Sequence, residues 1–217
     1  MGTDIPLTWS VVIPVKVLAR AKSRLAGLAS GEREALALAM AADTVAAALT
    51  SQVVGAVVVV SDDLSVRSEA AALGAEVIAD VPGQGLNEAL TAGAGYAAAR
   101  WPAAGTAGLT ADLPALSGKE LTAALTAAGR SAHAFVADAA GSGTTLYTAR
   151  PAAAFLPRFG PQSRTRHRLA GAAELDLPGI PGLRRDVDTL ADLYAAERIG
   201  LGARSSSVRD AIGKRPA

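Results

Sequence analysis

Cysteine is absent from this chain, which excludes disulfides, thiolate metal sites and cysteine nucleophiles. Histidine occurs only at His133 and His167, too few for a histidine metal cage and poor material for a serine triad. Aromatic residues make up 4% of the sequence, which argues against stacking platforms for single-stranded nucleic acid. A net charge of +1 provides no global field toward DNA or a membrane surface. No apolar run reaches the roughly 18–20 residues of a membrane helix. Met1–Pro6 lacks a basic region followed by a long apolar stretch, so no signal peptide is expected. Together these absences predict a cytoplasmic protein that binds neither nucleic acid nor membrane. Three motifs are also missing: the Walker loop, a Gly-x-Gly-x-x-Gly after the first strand, and a Gly-x-Ser-x-Gly elbow. P-loop NTPases, dinucleotide oxidoreductases and serine hydrolases are thereby disfavoured.

What is present is a chain of 217 residues, half of them apolar and many of those alanine. That length fits one domain with a sizeable core and thin, closely packed helices. We read a single domain over 1–202 and a small basic tail over 203–217, expected to be flexible. β-branched runs predict strands at 10–15, 56–61 and 75–79, with further strands at 107–111, 132–138 and 144–148. Helices are expected over 30–49, from about Asp63 to Leu73 and over 86–100. Another should follow the Ser117/Glu120 capping box, and the last clear one begins at Thr189 with Asp192 three residues on. Alternating strands and helices imply a mostly parallel sheet covered on both faces. Ligands then sit beyond the carboxyl ends of the strands, which puts Lys16, Asp62 and Asp112 on one rim.

Six segments carry candidate chemistry. Val12-Ile-Pro-Val-Lys-Val-Leu-Ala-Arg-Ala-Lys-Ser-Arg-Leu25 holds two of the four lysines, Lys16 and Lys22, together with Arg20 and Arg24. Fixed cations after a strand can hold triphosphate oxygens and a pyrophosphate leaving group; a solvated basic turn is the plain alternative. Asp112, in Leu109-Thr-Ala-Asp-Leu-Pro-Ala-Leu116, follows a strand and precedes a proline turn. Its carboxylate suits Mg2+, which takes one or two carboxylates plus phosphate oxygens, or else caps the turn. Asp186 and Asp188 flank Val187; in an extended segment they share a face and repel unless a cation lies between them. Otherwise Asp188 starts a helix and Asp186 pairs with Arg184 or Arg185. Gly141-Ser-Gly-Thr-Thr145 is a phosphate-binding turn or an ordinary hairpin turn. Arg158-Phe-Gly-Pro-Gln-Ser163 leads into Arg164, Arg166 and Arg168, an anion-binding helix start or a solvated basic patch. Gly85-Leu-Asn-Glu-Ala-Leu90 opens a helix at which Asn87 contacts a base or ribose or is an ordinary first-turn residue.

Taken in order, these segments, with Val136-Ala-Asp138 and His167, resemble the guanylyltransferases of coenzyme F-420 biosynthesis, the 2-phospho-L-lactate or phosphoenolpyruvate guanylyltransferase (CofC/FbiD-like) family. The resemblance spans most of 9–200; Ala111 stands where the family often has glycine. It implies a Rossmann-like, three-layer α/β nucleotidyltransferase fold (GT-A-like) with a mostly parallel mixed sheet. It also implies transfer of GMP from GTP to a phosphorylated three-carbon acid, with loss of pyrophosphate. By the same resemblance Asp112, Asp186 and Asp188 hold Mg2+. Lys16 contacts the acid, with Thr144, Gly160 and Ser163 around its phosphate and carboxylate. Lys22 and Arg24 attend the GTP phosphates, and Gly85, Asn87 and Asp112 the nucleotide. Phosphoenolpyruvate is the expected acid, with 2-phospho-L-lactate or 3-phosphoglycerate as alternatives and handover of product to a downstream transferase as a further expectation. A sugar-type or molybdopterin nucleotidyl transfer, and a noncatalytic GTP-binding protein, are the rival readings.

Overall fold

The computed structural model describes residues 8–18, 25, 27–80, 84–151 and 153–213. The first described strand is β1 (Trp9–Pro14), all six residues buried. It pairs in parallel with β2 (Val54–Val60) and β4 (Gly105–Leu109), and β2 pairs in parallel with β3 (Glu76–Ile78). The other half of the sheet is mixed. β6 (Thr144–Ala149) runs antiparallel to β4 and to β5 (His133–Ala137), and β5 carries the short β7 (Ala173–Glu174) in parallel. The seven-stranded order is β3-β2-β1-β4-β6-β5-β7. The expected fold class, α/β with a mostly parallel mixed sheet, is the one observed.

Both faces of the central strands are covered, which is why β1 and β2 read as continuous apolar runs. Val11, Ile13, Val57 and Val59 join one core cluster, with residues of α1 (Ser30–Leu49), α2 (Leu64–Leu73) and α4 (Gly118–Ala128). Their neighbours Val12, Val58 and Val60 join a second cluster with α3 (Leu86–Arg100). α3 lies very close to the sheet: a Cβ on Gly93 would stand 2.3 Å from Val12 Cγ1 and 3.0 Å from Val60 Cγ2. The alanine and glycine content of the helices is therefore a packing requirement.

Local signals set most boundaries. Ser117 accepts from Glu120 N at the start of α4, as the capping box predicts. Glu120 also accepts from Gly182 N at 2.8 Å and so fixes α6 (Pro181–Arg184). Thr189 and Asp192 form the box that opens α7 (Leu190–Ile199). Asp63 caps α2 through Ser65 and Val66 N–H. The strand expected at 107–111 instead spans Gly105–Leu109, in parallel register with β1 from the Trp9–Gly105 pair onward. β7, α6 and the short α5 (Ser163–Leu169) complete the far edge.

Of the tail expected to be flexible over 203–217, residues 214–217 lie outside the described residues and the rest is helical. Ala203–Gly213 forms α8, packed on α1. The cause is Asp43, a nearly buried acid within α1, which accepts from Arg204 N (3.1 Å) and Ser205 N (2.8 Å) at the start of α8. Arg204 adds an ion pair to Glu69 at 2.6 Å. Among the described residues no helix is long and apolar enough to cross a membrane.

Candidate active site

The carboxyl ends of β1, β2, β3, β4 and β5 lie along one rim, and the amino end of the antiparallel β6 joins them. Loops leaving this rim carry the candidate residues. Lys16, two residues past β1, reaches Asp80 Oδ2 at 2.6 Å and the carbonyls of Gln84 and Gly85 at 3.1 and 3.4 Å. Asp80 in turn is placed by its backbone N–H, which donates to Asp62 Oδ1. Asp62 thus sits on the rim as expected, but supports the Lys16–Asp80 pair. Lys22 and Arg24 lie outside the described residues.

The two acidic motifs, far apart in sequence, are brought together by one backbone bond, Val187 N–H to the Asp112 carbonyl at 3.1 Å. Val187 is fully buried in a third core cluster with Leu36, Met40, Leu193 and Ala196. Burying the middle residue of Asp-Val-Asp leaves the flanking carboxylates half-buried, as alternation in an extended segment requires. A cleft of about 290 Å³ opens beside Asp188, lined by Lys16, Thr110 and Asp112 with Leu86 and Met40; Asp186 is not part of its lining.

Electrostatics mark this corner as anionic. Burial pushes the Asp186 carboxyl up to about 7, and the charges of Asp112, Asp138 and Asp188 push in the same direction. A cation at this corner would relieve that repulsion. No three His, Cys, Asp or Glu side chains among the described residues are grouped as a ready-made metal cage. Mg2+ does not need one, since it binds through one or two carboxylates with water and substrate phosphate. Asp112 and Asp188, the two carboxylates that line the cleft, are the number such a site needs.

Asp138 enters this cluster although the sequence offered it only as part of a motif. Nearly buried at the end of β5, it accepts from Ser142 N at 2.9 Å and Gly143 N at 2.8 Å. The 141–145 segment is therefore a hairpin turn between β5 and β6, and those two amides are committed to Asp138 rather than open to a phosphate. A strand-end acid before Gly-Ser-Gly was the signal for it. Thr145 is fully buried and Thr144 nearly so, while Ser142 is exposed.

The 155–163 loop is tied to the first turn of α3. Its Gly160 adopts φ +108, a conformation that favours glycine. Its carbonyl takes Ser163 N–H at 3.1 Å as α5 begins. Asn87, in the first turn of α3, accepts from Phe159 N (2.8 Å) and donates to Phe159 O (3.1 Å). Its side chain thus holds this loop rather than facing a base. Gly85 supplies a carbonyl to Lys16. His167, completely buried, joins the loop to β6, with Nε2 2.9 Å from Arg158 N and Nδ1 3.0 Å from Thr144 Oγ1.

The family model described as "Guanylyl transferase CofC like" matches residues 9–177. The chain belongs to this CofC-like guanylyl transferase family. A phosphoenolpyruvate guanylyltransferase of Thermomonospora curvata is 55% identical over 205 residues, 94% of this chain and 90% of that protein. A protein of the same name from Streptomyces coelicolor is 51% identical over 93% of this chain and 96% of its own length. The fold extends to more distant structures. 4-Diphosphocytidyl-2C-methyl-D-erythritol synthase superposes with a TM-score of 0.60 at 12% identity, over 89% of this chain and 99% of that one. CMP:2-keto-3-deoxy-manno-octonic acid synthetase does so with a TM-score of 0.57 at 17% identity, over 94% and 99%. As a CofC-like guanylyl transferase the chain is a nucleotidyltransferase, and its rim cleft is lined by Lys16, Asp112 and Asp188 from three of the family's motifs.

Proposed function

We propose that this chain is a Mg2+-dependent phosphoenolpyruvate guanylyltransferase of coenzyme F-420 biosynthesis, working in the cytoplasm. The observation that carries the substrate is relatives of that name at 51% and 55% identity over nine-tenths or more of both chains. An oxygen of the phosphoenolpyruvate phosphate attacks the α-phosphorus of GTP. The bond from that phosphorus to the bridging α–β oxygen breaks, and pyrophosphate leaves with the electron pair. The nucleophilic oxygen carries no proton near neutral pH, so no general base is required, in keeping with a chain of two histidines and no cysteine.

Two anions must meet, so the work of the site is neutralisation and alignment. Mg2+, held by Asp112, Asp186 and Asp188, would supply the charge that lets a triphosphate approach this acidic corner. Lys16 exchanges its partner Asp80 for the acid substrate. Thr144, Gly160 and Ser163 surround the phosphate and carboxylate of that substrate. Lys22 and Arg24 attend the GTP phosphates, with Gly85 and Asn87 shaping the nucleotide side through the start of α3. A product with a labile enol phosphate anhydride is suited to direct handover to a downstream transferase; a lifetime of hours in buffer would remove that rationale.

The test offers phosphoenolpyruvate, 2-phospho-L-lactate and 3-phosphoglycerate separately with GTP and Mg2+, reading pyrophosphate and product mass. A guanylylated product from phosphoenolpyruvate is expected. Product only from one of the other acids would reassign the substrate, and silence with all three from protein that binds GTP would overturn the reaction.

A further inference from the structure

We propose that His167 is a positioning residue that forces the Thr144 hydroxyl to act as a proton donor toward the anionic substrate. This rests on the reading of Thr144 as a contact of the three-carbon acid. The argument begins with a backbone amide. Arg158 N–H can only donate, so His167 Nε2, 2.9 Å away, must present its lone pair. A neutral imidazole carries a single N–H, which is therefore on Nδ1. That nitrogen lies 3.0 Å from Thr144 Oγ1, and an N–H facing a hydroxyl leaves the oxygen as acceptor. The hydroxyl proton must then point away from the ring, and among the described residues no bond takes it up.

The surroundings keep the ring in this state. Tyr147 stacks on it at 4.6 Å, with Phe135 and Phe159 each at 5.5 Å. Burial, helped by the charges of Arg166 and Arg158, lowers the imidazole to about 4, against a carbonyl of Ser163 that favours the proton. His167 is thus neutral through the physiological range. One ring fixes two things at once: the height of the Arg158–Gly160 loop and the direction of the Thr144 proton. A mobile hydroxyl would be equally able to accept, and would offer an anion no preference.

Two half-replacements separate these roles. His167→Gln keeps an acceptor near the Nε2 position and loses the donor to Thr144; His167→Asn keeps an amide N–H near Nδ1 and loses the bond to Arg158. Losing an oriented donor to a charged group should raise KM for phosphoenolpyruvate about 10- to 100-fold in His167→Gln. KM for GTP should hardly move, and His167→Asn, which keeps the donor but releases the loop, should raise KM for phosphoenolpyruvate by less than His167→Gln does. Thr144→Val should show the same rise, and adding His167→Gln to it should bring no further loss. Equal KM increases in the Gln and Asn variants that track their melting temperatures, or additive losses in the double variant, would overturn the proposal. So would a nitrogen-15 NMR spectrum of the free protein showing the proton of His167 on Nε2. Wild-type protein that guanylylates none of the three acids would instead overturn the functional reading, and the tautomer would still decide the geometry.

Discussion

Asp186 carries the most informative electrostatics in the molecule. Its carboxyl, ordinarily near 3.8, is held up to about 7 by burial and three neighbouring aspartates. The folded state thus keeps a proton that the unfolded chain releases, and its relative stability falls as pH rises from about 4 to 7. Asp186→Asn removes that burden. In the absence of divalent cation the variant should melt roughly 3–8 °C higher than wild type at pH 8, with the gap closing toward pH 4. Guanylyl transfer should drop by about 100-fold or more. A variant no more stable than wild type at pH 8 would show that the carboxylates do not repel. His167 acts in the opposite direction. Its folded value of about 4 lies below the ordinary 6.5, so the unfolded chain takes up a proton the folded one refuses. Between pH 6.5 and 4 this costs on the order of 3 kcal/mol. Urea midpoints of wild type and His167→Phe should therefore converge or cross as pH is lowered from 7 to 5; a constant gap would show that the ring titrates normally. The Asp-Val-Asp pattern was legible because Val187 needed a core and its neighbours did not. The work of Asn87 and Asp80 was not, because their partners Phe159 and Lys16 lie 72 and 64 residues away.

Elements with a periodic signal or a cap are the ones the sequence places well. α1 and α3 start and end where expected, and the boxes at Ser117 and Thr189 open α4 and α7. α8 escaped because its stretch, Ala-Arg-Ser-Ser-Ser-Val-Arg-Asp-Ala-Ile-Gly, has no apolar stripe. Its order comes from outside, from Asp43 on α1. Asp43→Ala should cost about 2 kcal/mol in urea unfolding, since it strips two amide bonds from a nearly buried helix start. Hydrogen exchange should rise first in 203–213. Unchanged protection there would mean that α8 is held by packing alone. β7 and α6, of two and four residues, carry too little pattern to be read without the sheet they edge.

At the scale of the whole molecule, the parallel half of the sheet makes the rim and the antiparallel β6 completes it. Reading alternation of strands and helices was enough to put Lys16, Asp62 and Asp112 on one edge. The convergence of Asp138 and Thr144 there depends on β6 reversing between β4 and β5, which no local pattern announces. The most direct test of nucleotidyl transfer follows the label. With GTP labelled at the α-phosphorus, phosphoenolpyruvate and Mg2+, the label should appear in the guanylylated acid, while label at the γ-phosphorus should leave in pyrophosphate. Label from the γ-phosphorus on the acid, or released as inorganic phosphate with no guanylylated product, would contradict it.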